Sequence, residues 1–249
     1  MDTKAYLERI KYEGSLEPTA ETLRALHLAH MRAVPFENLS IHAGQPIILN
    51  NDALFEKIVT RRRGGFCYEL NGLFAALLGS LGFDVSKLSA GVARPDGSFS
   101  PEFDHMTLLV NLDERWLADV GFGDSFEEPL KLDLQGEQLQ GARAYQIVPG
   151  AAHYLLLQRD EHGEWKNQYR FTLQSYDFPD YEPMCHFHQT SQESHFTRNR
   201  ICSLLTPSGR ITLSGLRRIA TSGEHREERE LAGEEEYKKL LKDEFGIVV

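Results

Sequence analysis

Apolar residues fall at Leu70, Leu73, Phe74, Leu77, Leu78 and Leu81, offsets of 0, 3, 4, 7, 8 and 11. That is the repeat of one helical face, and the spacing predicts a helix from Leu70 to Leu81. Asn71-Gly72 inside it is a hairpin dipeptide, but six positions in phase outweigh one local signal. Upstream, Leu23, Leu26, Leu28 and Met31 recur at roughly helical spacing within residues 19–33, between Pro18 and Pro35. Asn51-Asp52 can cap a short helix carrying Leu54, Phe55 and Ile58. The first 83 residues therefore read as helical.

The pattern changes after Gly82. Residues 84–93, 106–112, 116–120, 144–148, 154–158 and 168–173 are short runs rich in β-formers, separated by turns such as Pro95-Asp96-Gly97. They predict an antiparallel sheet or barrel of about 90 residues. Residues 182–200 are irregular and rich in His, Gln and Ser. Residues 201–205 and 210–213 flank Pro207-Ser208-Gly209 and read as a hairpin. Residues 224–230 read as a solvated loop or helix face, and residues 234–245 as a charged helix ended by Gly246. Helical, β and mixed parts in succession make the fold class α+β rather than alternating βαβ.

Composition narrows the function. With 41% hydrophobic and 26% charged residues in 249, the chain can bury a core, which excludes a disordered protein. Lys+Arg 27 against Asp+Glu 37 gives 27 − 37 = −10, so nucleic acid and anionic membrane are not expected partners. The N-terminal MDTKAYLERIKYEG has no apolar signal core, and no apolar run reaches the ~20 residues of a spanning helix. Three cysteines, Cys67, Cys185 and Cys202, make an odd and sparse set. They argue for reduced thiols in a cytoplasmic protein.

The densest chemical signal is Arg61-Arg62-Arg63-Gly64-Gly65-Phe66-Cys67-Tyr68-Glu69. The glycines permit a tight turn with unusual backbone angles. Cys67 falls at the mouth of the predicted helix, where the dipole and free N–H groups favour a thiolate and can hold an oxyanion. The competing reading is a small buried core residue. A thiolate wants a base, and the base wants an orienting acceptor. His105 opens one apolar strand and Asp119 closes the next, with a hairpin at residues 111–115 that brings them to the same end. Arg63 and Glu69 are expected to pair as a buried brace of the Cys67 turn. Cys185-His186-Phe187-His188 with His195 is the rival site, a zinc-binding or interaction module without catalysis. On a strand, however, Cys185 and His186 would face opposite ways. The order Cys, His, Asp also occurs in papain-like and transglutaminase-like sites, so a hydrolase or amide-transferring enzyme stays open.

Further segments carry a resemblance. Val34-Pro35-Phe36-Glu37-Asn38-Leu39, the block Arg63 to Glu69, Asn71-Gly72-Leu73-Phe74, Asp104-His105-Met106 and Asp119-Val120-Gly121-Phe122-Gly123 follow in order. Phe196-Thr197-Arg198-Asn199-Arg200 and Cys202-Ser203-Leu204-Leu205-Thr206-Pro207 follow them. Together they resemble the arylamine N-acetyltransferases over nearly the whole chain. The resemblance implies an N-terminal helical bundle (1–83) carrying the nucleophile and a central antiparallel β-barrel (84–190) carrying His and Asp. A linker and an α/β lid (191–249) complete it. It implies a Cys67–His105–Asp119 triad that passes acetyl from acetyl-CoA through S-acetyl-cysteine to an arylamine or arylhydrazine, with no metal. Phe36, Phe66 and Phe122 would line an aromatic slot. Gly121, Gly123 and Thr206 would contact CoA, with the basic stretch Arg198, Arg200, Arg210, Arg217 and Arg218 nearby. Where some members carry a hydroxyl-glycine pair before the catalytic His, this chain has Ser100-Pro101-Glu102-Phe103. The protein is expected to be a monomer or homodimer.

Overall fold

A computed structural model describes residues 1–160, 162–223 and 225–248. Two helices open the chain, α1 (Thr3–Arg9) and α2 (Ala20–Ala33). Side-chain oxygens of Asp2 and Thr19 cap their free N–H groups. A two-residue strand β1 (Phe36–Glu37) and a single turn α3 (Leu39–His42) follow. The cap of α4 (Asn51–Phe55) is Asn50, one residue before the expected pair, and the helix runs on into a π-helical turn, Glu56–Thr60. The long helix α5 (Cys67–Ser80) contains the predicted face except Leu81, its C-cap, and starts one turn earlier. Its hairpin dipeptide is overridden by packing. Gly72 lies under the Phe178 ring, where a Cβ would come within 2.5 Å of a ring carbon. Leu70, Leu73, Phe74, Leu77 and Leu78 are fully buried against Tyr6, Leu23, Leu26 and Ile58.

Eight antiparallel strands follow: β2 (Asp84–Val92), β3 (His105–Asn111), β4 (Arg115–Ala118), β5 (Leu130–Lys131), β6 (Gln138–Gln140), β7 (Arg143–Pro149), β8 (Tyr154–Arg159) and β9 (Trp165–Tyr176). They pair in the order β5-β4-β3-β2-β9-β8-β7-β6. Side-chain amides draw the edges together. Gln138 accepts from Lys131 N–H (2.8 Å) and donates to Lys131 C=O (2.9 Å), and Gln140 accepts from Glu127 N–H (2.8 Å). The result is a near-closed barrel. β3 shows no hydrophobic alternation because both its faces are covered. Leu108 and Val110 pack on α5, while Leu109 joins Leu88, Leu117 and Phe171 inside the barrel.

The stretch around Cys185 is helical, not extended. α6 (Phe178–Thr190) starts at Asp177, whose N–H donates to the Asp180 carboxylate (2.8 Å), and Pro179 presets its first turn. Cys185 and His188, three apart, therefore share a helix face, and His186 turns away from it. After the short α7 (His195–Arg198) come β10 (Ile201–Thr206), β11 (Gly209–Ser214), β12 (Arg217–Ser222) and β13 (His225–Glu230). The hairpin over residues 201–213 forms as expected. Residues 225–230 form an edge strand rather than a loop or helix face; Glu224 lies outside the described residues. All six are exposed and five are charged, which discourages a further strand from adding there. β1 completes this second sheet, in the order β1-β10-β11-β12-β13, and so ties the N-terminal helices to the C-terminal strands. The last helix α8 (Glu234–Phe245) packs Tyr237, Leu241 and Phe245 on Cys202 and Leu213, and stops at Gly246 (φ 69°). Among the described residues no helix is long and apolar enough to cross a membrane.

Candidate active site

The Cys67 turn is held by its neighbours. The left-handed residue before it is Arg62 (φ 52°), not a glycine. The glycines serve close approach instead: Gly65 N–H donates to Pro35 C=O (3.3 Å), and a Cβ on Gly64 would lie 1.9 Å from that oxygen. The expected Arg63–Glu69 pair does not form. Arg63 pairs with Glu37 (2.8 Å), and Lys57 pairs with Glu69 (2.7 Å). Both carboxylates are buried, at 0% and 1% exposure. Glu69 also accepts the Phe66 N–H (3.2 Å) just ahead of Cys67. Deleting one partner of such a buried pair costs about 3–5 kcal/mol, so these charges fix the Cys67 turn.

His105 opens β3 at the barrel rim, and Asp119 follows the last residue of β4. The two strands pair antiparallel with Leu108 opposite Ala118, so both residues reach the same end and the same face. His105 Nε2 lies 2.6 Å from Asp119 Oδ2. Four donors converge on that carboxylate: His105 and the Tyr169 hydroxyl (3.0 Å) on Oδ2, Asn71 Nδ2 (2.8 Å) and Gly121 N–H (3.0 Å) on Oδ1. Burial alone would raise the Asp119 carboxyl; the His105 charge and these hydrogen bonds hold it below the usual carboxylate range. Asn71, one turn after Cys67 on α5, also donates to Met106 C=O (2.6 Å) and accepts from Val120 N–H (2.9 Å). One side chain thus locks the helix that begins at Cys67 to both strands. A Cβ on Gly121 would lie 2.8 Å from Cys67 Cα, so that loop packs directly on the turn.

Burial pushes the Cys67 thiol well up, the Met106 N–H opposing it and the Asp104 and Asp119 carboxylates adding to it. The helix start alone does not make a thiolate here. A positive imidazole beside the sulfur would oppose that rise, and the Asp119 carboxylate, 2.6 Å from His105, is placed to stabilise such a charge. Cys185 and Cys202 are also buried and pushed up, Cys185 to about 12. They do not face the cavity onto which Cys67 opens. Brief iodoacetamide treatment at neutral pH should label Cys67 alone in a peptide map. Equal labelling of Cys185 or Cys202 would contradict this placement.

That cavity, of about 1020 Å³, is lined by Cys67, His105, Phe36, Gly121, Phe122 and Gly123 together with Val92, Phe196 and residues of α6 and β10–β12. Phe66 and Thr206 are not on its wall. Phe66 is fully buried, edge-on to Tyr68 and Phe196. Of the basic stretch only Arg210 reaches the cavity; Arg200, Arg217 and Arg218 pair with Glu234, Glu228 and Glu244, and Arg198 donates to Ser194 C=O. A second His–Asp pair, His188 Nε2 to Asp104 Oδ1 (3.2 Å), also lines it. Burial would raise the Asp104 carboxyl, but the His188 and Ser100 side chains beside it and the His105 charge keep it low. The possible zinc donors are engaged elsewhere: Cys185 accepts from Gln189, His188 meets Asp104, and His195 meets Asn199. Among the described residues no group of three or more His, Cys, Asp or Glu is placed for a metal ion.

His27 braces the dyad from behind. Its Nδ1–H donates to Glu127 C=O (2.7 Å), which fixes Nε2 as the acceptor of the Asp119 N–H (3.1 Å). Burial lowers it to about 4, against weaker pulls from those bonds and Asp119. The unfolded chain takes up this proton near 6.5, before the folded one does, so stability is full above that pH and falls between 6.5 and 4. The loss amounts to about 3 kcal/mol. Thermal melts should show that slope, and His27→Gln should remove one proton from it. An unchanged slope would show that His27 is not held neutral.

The family model described as N-acetyltransferase matches residues 19–249. An arylamine N-acetyltransferase of Escherichia coli is 33% identical over 98% of this chain and 88% of its own length. The solved structure of the arylamine N-acetyltransferase from Salmonella typhimurium superposes with a TM-score of 0.93 at 33% identity, covering 98% of this chain and 90% of that one. That of Mycobacterium marinum, solved in complex with CoA, gives 0.92 at 32% identity, covering 99% and 93%.

Proposed function

The chain belongs to the arylamine N-acetyltransferase family, and from that premise we propose that it carries acetyl from acetyl-CoA to an arylamine or arylhydrazine nitrogen through S-acetyl-Cys67. In the first step His105 takes the Cys67 proton. The sulfur attacks the thioester carbonyl, the bond to the CoA sulfur breaks, and His105 returns the proton to that sulfur. In the second, the amine nitrogen attacks the acetyl carbon, His105 takes a proton from it, and Cys67 leaves as thiolate to recover that proton. Asp119 engages Nε2, so Nδ1 is the ring nitrogen left for both transfers. An arylamine is a weak base and arrives uncharged at neutral pH, ready to attack. A thioester is reactive enough to need no metal to polarise it.

The observation that carries this reading is the junction of a buried His105–Asp119 dyad and a helix-start cysteine at one cavity. Intact mass spectrometry after acetyl-CoA should show one added acetyl group, mapped to Cys67 and released by an arylamine. Loss of the adduct to water at the same rate without amine would favour the hydrolase instead.

A further inference from the structure

Arg210 on β11 is only 8% exposed, yet it stands in the wall of the Cys67 cavity. Its Nε lies 3.3 Å from Asp124 Oδ1 and its Nη1 donates to Ser203 Oγ (3.2 Å). Its Nη2 is buried with no partner. The same Asp124 oxygen accepts from Arg143 Nη1 at 2.6 Å. One carboxylate oxygen thus serves two guanidiniums at close range. Burial and the Arg143 charge pull the Arg210 guanidinium down, against the Asp124 and Glu127 carboxylates. The other cavity arginines sit differently: Arg94 is exposed on a loop, and Arg226 is held by Glu228. In a chain of net charge −10, this is the one buried positive centre the described wall offers.

We propose that Arg210 is an anion anchor of this cavity, and that the anion is a phosphate of the acetyl donor. The inference rests on the acetyl-CoA reading above. The one guanidinium nitrogen left without a partner, Nη2, can take an anionic oxygen of a phosphate or a carboxylate. The donor brings phosphates in every turnover, whereas an arylamine need bring no anion. The Ser203 and Thr212 hydroxyls on the same wall bond each other (2.7 Å), which leaves the pair one O–H proton to offer beside the charge.

The test separates the two half-reactions. Loading of Cys67 is timed with acetyl-CoA and with S-acetyl-N-acetylcysteamine, the same thioester without phosphate. Unloading is timed with 4-aminobenzoate and with 4-methylaniline. In Arg210→Gln the loading rate constant for acetyl-CoA should fall about ten- to a hundred-fold relative to the phosphate-free donor. Arg210→Lys should recover part of it. Equal falls with both donors would make Arg210 a structural residue, and no fall at all would also overturn the proposal. A fall confined to unloading by 4-aminobenzoate would reassign the anchor to an acidic acceptor. Failure of the unaltered protein to load from either donor would sink the acetyl-transfer reading itself, a distinct result.

Discussion

Cys67→Ala should abolish acetyl loading and amine acetylation together, a fall of at least about four orders of magnitude. In the proposed reaction the sulfur is the covalent carrier, and neither other cysteine is placed to replace it. Cys185 accepts from Gln189 away from the cavity, and Cys202 lies under α8. The fold should survive. The side chain is 3% exposed but small, and losing one sulfur costs roughly 1 kcal/mol. The ion pairs that brace its turn, Arg63–Glu37 and Lys57–Glu69, do not touch the sulfur. The measurement is single-turnover acetylation of the purified variant, with circular dichroism and thermal melting beside it. Residual loading in a folded variant would move the nucleophile elsewhere.

Cys67, His105 and Asp119 could be read from the chain because each stands at the end of an element with a strong periodic signal. The helix face from Leu70 fixes where Cys67 begins, and two apolar strands joined by a tight turn fix that His105 and Asp119 meet. What tightens the site was not legible. Asn71 carries a hairpin signal locally, and its partners Met106 and Asp119 lie 35 and 48 residues away. Tyr169 reads as one more strand aromatic until its hydroxyl is seen on Asp119. The charges near Cys67 were visible, but which carboxylate takes Arg63 depends on β1 bringing Glu37 to the turn. Pro183 and a Cys-His-Phe-His run hide the helical face of α6. β13 was missed because an exposed edge strand has no apolar side to alternate.

Asp119→Asn should lower acetyl loading at pH 7 by about 10³–10⁴-fold while keeping the side chain's size. The carboxylate accepts four donors, two on each oxygen. An amide has one oxygen only, so its NH₂ must face donors somewhere. At Oδ1 it would meet Asn71 Nδ2 and the Gly121 N–H, neither of which can turn round to accept. At Oδ2 it meets the Tyr169 hydroxyl, which can rotate, and His105 Nε2, which can present its lone pair. The amide therefore settles with NH₂ toward His105 and forces the ring proton onto Nδ1. In the proposed reaction that nitrogen must receive the Cys67 proton, so the tautomer is the wrong one. The charge that would hold an imidazolium is gone as well. Burial then governs the thiol alone, and the apparent pKa of Cys67 alkylation should rise. Stability changes too. The Asp119 carboxyl is held low in the fold, so its contribution is present above the ordinary carboxylate value and fades as pH falls through the folded one. The variant loses that contribution at neutral pH, and the two proteins must be compared at a temperature where both are folded. An alkylation profile unshifted from the parent, with normal loading, would remove Asp119 from the triad. Asp104 is not a ready substitute, because its carboxylate is already taken by His188 and Ser100.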